Sequence, residues 1–408
     1  MCVSHFDSPR ERIGEEMPLT KEMIQKMPKC ELHCHLDGSM RVETIIELAE
    51  KQNVRLPSHD PKELRNILVQ EEAASLVQYL KAFDVTLSVL QDYESLRRTA
   101  YELIEDSAKD NVVYLEVRYA PILHQRKGMK LTEIVEAVLH GLRESERDFG
   151  VKWGLIICGM RSSDPKYTLQ MAELCIAYKH RGVVGFDLAG AEGGNPAARH
   201  QEAFKLILQN NVNITVHAGE AFGPESISQA LHDCGAHRLG HGVRLKEDGD
   251  LLNYCCDHRI PIECCPTSNV QTGAVEELKF HPIRLYYDFG LRVTINTDNR
   301  LMSGVSMTEE LWKAHTLLGF TLSELKDTIV YGIKSSFLHH RPKVELLDRV
   351  LGELKTFRER ATDKDTRYAV ADIPTESLTD SHKGRMPSQI EKESKEEKKK
   401  AAKKSAPK

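Results

Sequence analysis

The runs VVGFDLAG at residues 183–190 and NITVHAG at residues 213–219 are short, rich in β-branched residues and almost continuously apolar. Such runs are typical of parallel strands that are buried on both faces of a sheet. Six similar runs lie elsewhere in the chain, and these are KCELHCH (core at 30–35), VVYLEVRY (112–119), KWGLIICG (152–159), HRLGHG (237–242), IPIECCP (260–266) and RVTINTD (292–298). The sequence therefore predicts eight strands.

The segments between these runs carry apolar residues at helical spacing. Ile134, Val138 and Leu142, for example, fall on one face of a helix. Eight short strands that alternate with helices predict an α/β fold of the (β/α)8 TIM barrel type rather than a doubly wound sheet. No Gly-x-Gly-x-x-Gly motif follows a strand and no Walker loop is present, which argues against the nucleotide-cofactor folds.

The predicted barrel domain covers residues 28–361 and follows an N-terminal lead at residues 1–27. About 75 residues separate the first two strands, which is too many for a single crossover helix. We therefore expect a helical insert after the first strand, including SLVQYLKAFDVTLSVL at residues 75–90. Residues 362–408 lack apolar periodicity, which predicts a disordered, charged C-terminal tail.

The charge of the chain is unevenly distributed. Its 408 residues include 56 Lys and Arg against 61 Asp and Glu, a formal charge of −5. Residues 391–408 contain eight Lys and four Glu, so the rest of the chain carries −9. An acidic body is a poor electrostatic match for nucleic acid, and only the lysine-rich tail favours such a partner. We expect that tail to be a solvated charged segment.

The cysteine usage and the N-terminus indicate the compartment. Ten cysteines without a CxxC pair are too sparse for a disulfide scaffold. The N-terminal sequence MCVSHFDSPRERIGEEMP carries charges where a secretory signal would have an apolar core. No apolar stretch is long enough to cross a bilayer. These features predict a cytoplasmic protein without a membrane partner, and they leave the oligomeric state open.

Four potential metal ligands lie at the ends of predicted strands, where TIM barrels carry their catalytic groups. His33 and His35 are two residues apart on the first strand, so both imidazoles point to the same side. His217 lies at the end of the fifth strand and Asp298 at the end of the eighth. Three imidazoles and one carboxylate predict one divalent metal ion per chain, preferably Zn²⁺, that makes hydroxide available at neutral pH.

Two further polar residues follow strand ends. Glu220 comes three residues after His217, where a carboxyl group shielded from water can stay protonated and act as a general acid. His241 can orient or deprotonate an attacking water. Taken alone, Glu220 fits an exposed loop position and His241 fits a buried structural histidine. Their shared position beside the predicted ligands favours a catalytic site.

The chain resembles the adenosine deaminase family over roughly residues 28–340, through five motifs and their order along the chain. They are ELHCHLDG (31–38), DLAG (187–190), HAGE (217–220), GHG (240–242) and NTDN (296–299). The resemblance implies that the three strand-end histidines and Asp298 hold zinc. It also implies that Glu220 protonates purine N1, while His241 and Asp298 position the hydroxide that attacks C6 and displaces ammonia.

The resemblance also implies contacts with a purine nucleoside. Asp37 would hydrogen-bond to the ribose 5′-hydroxyl with His35 close by, and the backbone N–H of Gly190 would face purine N3. Asn299 departs from the family's pattern, because better-known members have a second Asp there. Its amide can still donate a hydrogen bond to purine N7.

An apolar stripe in the insert has two interpretations. Leu76, Tyr79, Leu80 and Phe83 match the helix that covers the purine in this family. Their spacing of i, i+3, i+4 and i+7 is equally typical of ordinary core packing.

The leading hypothesis is a zinc-dependent hydrolase that converts adenosine, and also 2′-deoxyadenosine, to inosine and ammonia in purine salvage. A sister deaminase for adenine, methylthioadenosine or aminodeoxyfutalosine would share the same site chemistry. Asp37 separates these alternatives, since its contact is of no use to free adenine. A catalytically weak relative that serves as a ligand-binding or growth-factor-like protein is an alternative of another class, which the complete ligand set argues against.

Overall fold

The computed structural model describes residues 19–70, 73 and 75–357. Eight parallel strands follow one another around a barrel, in the order β1 to β8. They are β1 (Lys29–His35), β2 (Val112–Tyr119), β3 (Lys152–Met160), β4 (Val183–Ala189), β5 (Asn213–Ala218), β6 (Arg238–His241), β7 (Ile262–Cys264) and β8 (Val293–Ile295). The predicted (β/α)8 TIM barrel is confirmed, and the limits of each strand lie within three residues of the predicted ones.

Sixteen α-helices lie in the described part of the chain. They are α1 (Lys21–Lys26), α2 (Val42–Gln52), α3 (Pro61–Leu68), α4 (Leu76–Tyr79), α5 (Phe83–Val89), α6 (Tyr93–Lys109), α7 (Leu131–Phe149), α8 (Pro165–Tyr178), α9 (Gln201–Gln209), α10 (Pro224–His232), α11 (Gly249–Asp257), α12 (Pro266–Gln271), α13 (Ile283–Asp288), α14 (Met307–Leu318), α15 (Leu322–Ser335) and α16 (His340–Leu354). The stripe of α7 is fully buried, as its spacing predicts.

The helical insert after β1 is confirmed. It comprises α2, α3, α4 and α5, and α6 then returns the chain to β2. The predicted helix at residues 75–90 is interrupted, because a 3-10 turn at Leu80–Ala82 separates α4 from α5. The predicted tail at residues 362–408 and most of the lead at residues 1–27 lie outside the described residues. In the described end of that lead, α1 packs Ile24 into the core.

The barrel closes between β1 and the segment that follows β8. The backbone N–H of His35 donates to the carbonyl oxygen of Asp298 over 2.7 Å, and that of Asp298 donates to His33 over 3.0 Å. These bonds form a parallel bridge between Cys34 and Asp298. The closing bridge therefore places three of the four predicted metal ligands side by side.

A chain of buried charges runs through the interior of the barrel. Arg118 on β2 contacts Asp187 Oδ2 on β4 at 3.0 Å and Glu263 Oε2 on β7 at 2.8 Å. Arg238 on β6 joins Glu263 to Glu116, with 2.6 Å between Arg238 Nε and Glu263 Oε1. All five side chains are buried. Because buried ions need partners, these contacts constrain the mutual positions of four strands.

Two further observations concern the described residues as a group. Their nine cysteines carry free thiols. None of their helices combines the length and the apolar character that crossing a membrane requires.

Candidate active site

The four predicted metal ligands meet at the carboxyl ends of β1, β5 and β8. His33 Nε2 and His35 Nε2 lie 3.3 Å and 3.4 Å from Asp298 Oδ1. His35 Nε2 also lies 3.2 Å from His217 Nε2. The structure therefore brings together one ring nitrogen of each histidine and one carboxylate oxygen, from residues that are distant in sequence.

Acidic side chains fix the orientation of two of these histidines. Glu263 Oε2 lies 2.9 Å from His33 Nδ1, and Asp187 Oδ2 lies 3.0 Å from His217 Nδ1. A carboxylate that accepts a hydrogen bond from Nδ1–H keeps the proton of a neutral imidazole on Nδ1. The lone pair on Nε2 is then free to bind a metal ion, which is the usual arrangement of histidine ligands. Asp298 is held in turn by Ser268, whose hydroxyl donates to Oδ2 over 2.6 Å.

The cluster fits a divalent transition metal. Among the described residues, the buried His33 Nε2 has no hydrogen-bond partner, although buried polar atoms normally have one. Burial lowers the pKa of His33 to about 4, so the imidazole is neutral, as metal binding requires. Three neutral imidazoles and one carboxylate are a donor set suited to zinc and its neighbours.

His241 lies beside the cluster and is a potential ligand by proximity alone. Single ligand atoms of His33, His217, His241 and Asp298 lie within 4.8 Å of one another. The His241 imidazole has other contacts, however: Nδ1 lies 3.0 Å from the Asn269 amide nitrogen, and Nε2 lies 3.7 Å from Glu220 Oε2. Its position supports the expected role beside the reacting groups.

Backbone strain accompanies the strand ends at this site. His241 and Asp298 have φ angles of 66° and 63°, in a region that non-glycine residues adopt at a cost and that is frequent at active sites. Gly240, next to His241, allows close packing, since a Cβ atom there would lie 3.1 Å from His217 Cα and 3.2 Å from His33 Cε1.

Glu220 is buried at the edge of the cluster. The Thr272 hydroxyl donates to Glu220 Oε1 over 3.0 Å, and only 5% of the residue is exposed. Burial raises the pKa of Glu220, which favours the protonated carboxyl group. The residue is therefore not the exposed loop glutamate that its position alone would predict.

Glu192 was not identified from the sequence, yet it holds the backbone around Glu220. Its carboxylate accepts four backbone N–H groups, from Gly219 at 2.7 Å, Glu220 at 3.0 Å, Ala221 at 2.6 Å and Phe222 at 2.9 Å. The only signal in the sequence is an acidic residue two positions after DLAG. Its partners could not be predicted because they follow another strand.

A cavity opens from the metal cluster toward the helical insert. Eight of the nine predicted site residues, all except His33, line it, and these are His35, Asp37, Gly190, His217, Glu220, His241, Asp298 and Asn299. The apolar stripe, which comprises Leu76 and Tyr79 on α4, Leu80 in the 3-10 turn and Phe83 on α5, lines its other side. The stripe thus faces a cavity and is not simply part of the core.

Asp37 also lines this cavity and is buried there. It is 3% exposed, and its Oδ1 has no hydrogen-bond partner in the part of the chain that the structure describes. Burial raises the pKa of Asp37 to about 7, opposed by the N–H groups of Asp37 and Gly38. Such a carboxyl group gains a partner when a polar ligand group enters the cavity.

Gly190 and Asn299 line the cavity from two different loops, which follow β4 and β8. Gly190 has a φ angle of 95°, which favours glycine, and a Cβ atom there would lie 3.0 Å from the Met160 methyl carbon. Asn299 is 3% exposed and lies so close to Gly38 that a Cβ atom on Gly38 would clash with its amide. Both positions are consistent with a planar ligand that approaches the backbone closely.

Comparisons with known proteins agree with this geometry. The family model described as adenosine deaminase matches residues 28–353. Adenosine deaminase of Mycobacterium ulcerans (strain Agy99) is 42% identical over 354 residues, which cover 82% of this chain and 97% of that protein. A probable adenosine deaminase of Dictyostelium discoideum is 41% identical over 82% of this chain, which spans only 43% of that longer protein.

Solved structures with the same fold are deaminases or related complexes. Adenine deaminase from Arthrobacter aurescens superimposes with a TM-score of 0.76 and 29% identity, over 81% of this chain and 99% of that one. The Arabidopsis ADAL protein complexed with IMP has a TM-score of 0.73 and 29% identity, over 82% and 99% of the two chains. By the extent of the family match, by its identity to curated relatives and by its site, the chain belongs to the adenosine deaminase family.

Proposed function

We propose that the chain is a zinc-dependent enzyme that hydrolyses adenosine, and also 2′-deoxyadenosine, to inosine and ammonia. The observation that carries the proposal is the convergence of three features on one cavity. They are the histidine–aspartate cluster, the buried carboxyl group of Glu220, and the carboxyl group of Asp37, whose Oδ1 has no hydrogen-bond partner among the described residues. A place in purine salvage and a cytoplasmic location follow from the proposed reaction and from the sequence, and both remain predictions.

Each group in the cavity has a separate task in this proposal. His33, His35, His217 and Asp298 would hold the zinc ion, which supplies a water-derived nucleophile at neutral pH. Glu220, whose pKa is raised by burial, donates its proton to purine N1 and so makes C6 electrophilic.

The remaining polar groups orient the substrate. The Gly190 backbone N–H faces purine N3, and the Asn299 amide donates to N7. The side chains of the stripe on α4 and α5 cover the purine and exclude water, which strengthens the electrostatic contacts beneath.

The proposal of a nucleoside rests on Asp37. A buried carboxyl group can pair with a 5′-hydroxyl, whereas a 5′-phosphate would place negative charge against it. The adenine deaminase and the IMP complex among the structural relatives make free adenine and nucleotides the competing ligands. Both compounds therefore belong in the functional test.

The purified full-length chain should contain about one zinc ion per chain and should deaminate adenosine. We would measure metal content by mass spectrometry and follow the change in ultraviolet absorbance with adenosine, 2′-deoxyadenosine, adenine, AMP, methylthioadenosine and aminodeoxyfutalosine. A higher kcat/KM for any of the last four would reassign the substrate. Zinc-free protein, or zinc-loaded protein that deaminates none of these compounds, would contradict the enzymatic proposal.

Glu220→Gln should retain zinc and lose about 10²- to 10⁴-fold in kcat, because the amide keeps the shape of the side chain but cannot deliver a proton. Steady-state kinetics and metal analysis of the same preparation test this. Glu225→Gln on the exposed start of α10 is the matched control and should change neither quantity. Near-normal turnover of Glu220→Gln would exclude the residue as the acid.

Asp187→Asn should weaken metal affinity by about 10- to 100-fold, because the amide cannot replace the carboxylate between His217 and Arg118. Competition with a chromogenic chelator measures the affinity. Asp164→Asn is a suitable control, since Asp164 is an exposed N-cap of α8 whose carboxylate contacts Lys166, and Asn caps helices equally well. Unchanged affinity in Asp187→Asn would show that the ligands do not depend on this contact.

Asp37→Ala should lower kcat/KM for adenosine by about 10- to 100-fold through loss of a hydrogen bond to a charged group, and it should spare the zinc content. The decisive comparison uses 5′-deoxyadenosine, which lacks the 5′-hydroxyl group. Wild type and variant should process that compound with similar kcat/KM. A similar loss with both substrates would mean that Asp37 does not contact the 5′-hydroxyl.

A further inference from the structure

A buried hydrogen-bond relay leads from His281 through Asn269 to His241. The relay begins at a donor whose identity is certain, because the backbone N–H of Ile283 lies 3.1 Å from His281 Nδ1 and can only donate. His281 Nδ1 must therefore carry the lone pair. Burial lowers the pKa of His281 to about 3, so the ring is neutral and carries its single proton on Nε2.

The direction of the next two hydrogen bonds follows from that proton. His281 Nε2 lies 3.1 Å from the Asn269 side chain, and its N–H requires the amide oxygen Oδ1 as the acceptor. The Asn269 amide nitrogen then faces His241, 3.0 Å from Nδ1. An amide N–H can only donate, so His241 Nδ1 accepts and a neutral His241 carries its proton on Nε2.

The burial of the relay disfavours the other neutral tautomer of His241, in which the proton is on Nδ1. His241, Asn269 and His281 are 1%, 0% and 3% exposed, so water does not compete for these hydrogen bonds. A proton on His241 Nδ1 would set an N–H group against the Asn269 amide N–H groups. In a site shielded from water such a mismatch is costly, because neither donor finds another partner.

We propose that Asn269 and His281 are positioning residues that hold His241 in the tautomer protonated on Nε2. This inference rests on the proposed deaminase function. His241 then donates a hydrogen bond from Nε2 to the attacking oxygen and orients it, but it does not remove a proton from it. Of the two roles that the sequence leaves open for His241, orientation and deprotonation, the relay selects orientation.

The tautomer can be observed directly in the zinc-loaded full chain labelled with ¹⁵N-histidine. We expect pyridine-type Nδ1 and pyrrole-type Nε2 signals for His241, assigned by their loss in His241→Gln. In Asn269→Asp the carboxylate accepts hydrogen bonds from both rings, so the His241 Nδ1 signal should become pyrrole-type. Loss of the Nε2 donor should lower kcat by about 100-fold, with a smaller change in KM and unchanged zinc content.

A pair of variants at His281 tests the relay without adding charge beside His241. His281→Gln retains an N–H donor toward Asn269 and should preserve both the tautomer and kcat within about threefold. His281→Leu removes the donor, frees the Asn269 amide to rotate and should produce a mixture of His241 tautomers. This pair decides the question if Asn269→Asp fails to fold or loses zinc.

Two results would overturn the proposal. A wild-type His241 protonated on Nδ1 would contradict it whatever the kinetics. An unchanged kcat in Asn269→Asp with a protonated Nδ1 and a pyridine-type Nε2 would show that the tautomer is irrelevant to catalysis. The spectra require no substrate. Absence of adenosine turnover would thus refute the proposed function alone, and the kinetic comparison would then use whichever 6-aminopurine the wild-type protein deaminates.

Discussion

The salt bridges of Arg118 are the contacts on which the rest of the site depends. One buried guanidinium group binds Asp187 and Glu263 together. Each of these carboxylates also binds Nδ1 of a histidine in the metal cluster. The orientation of His33 and His217 is therefore determined by the interior of the barrel and not by the loops above it. Removing one member would leave an uncompensated charge in the core, so the stability of the barrel and the geometry of the site depend on the same residues.

The barrel and most of the site could be predicted from the sequence, since strands, strand ends and motifs are local signals. His33, His35, His217 and Asp298 end strands in the sequence and meet in the structure. The contacts that orient them could not be predicted in this way. Glu263 lies 230 residues from His33, and its pairing depends on the order of strands around the barrel. Asn269 lies in the short helix α12 and His281 follows a 3-10 turn at Leu278–Phe280, and both segments are too short for a periodic pattern to indicate a contact.

The apolar stripe is a local pattern that the sequence shows clearly but whose surroundings the sequence does not determine. Its spacing is equally typical of a core helix and of a cavity wall, and the two interpretations are distinguished only in the structure, where all four side chains line the cavity. The polar floor of the cavity belongs to the barrel and the apolar stripe to the insert, so the potential metal ligands and the apolar cover lie on separate elements.

The bridge that closes the barrel also has a consequence for biosynthesis. His33 and His35 belong to the strand of the barrel that is synthesised first, whereas Asp298 follows the last strand of the barrel. A complete set of ligands does not exist until the first and eighth strands have met, which is a contact of very high sequence separation and hence a slow one to form. The metal can therefore bind strongly only to the closed barrel, and its binding energy would stabilise that last step selectively. Metal occupancy in the cell would then report on completed folding, and nascent or truncated chains would compete poorly for scarce metal.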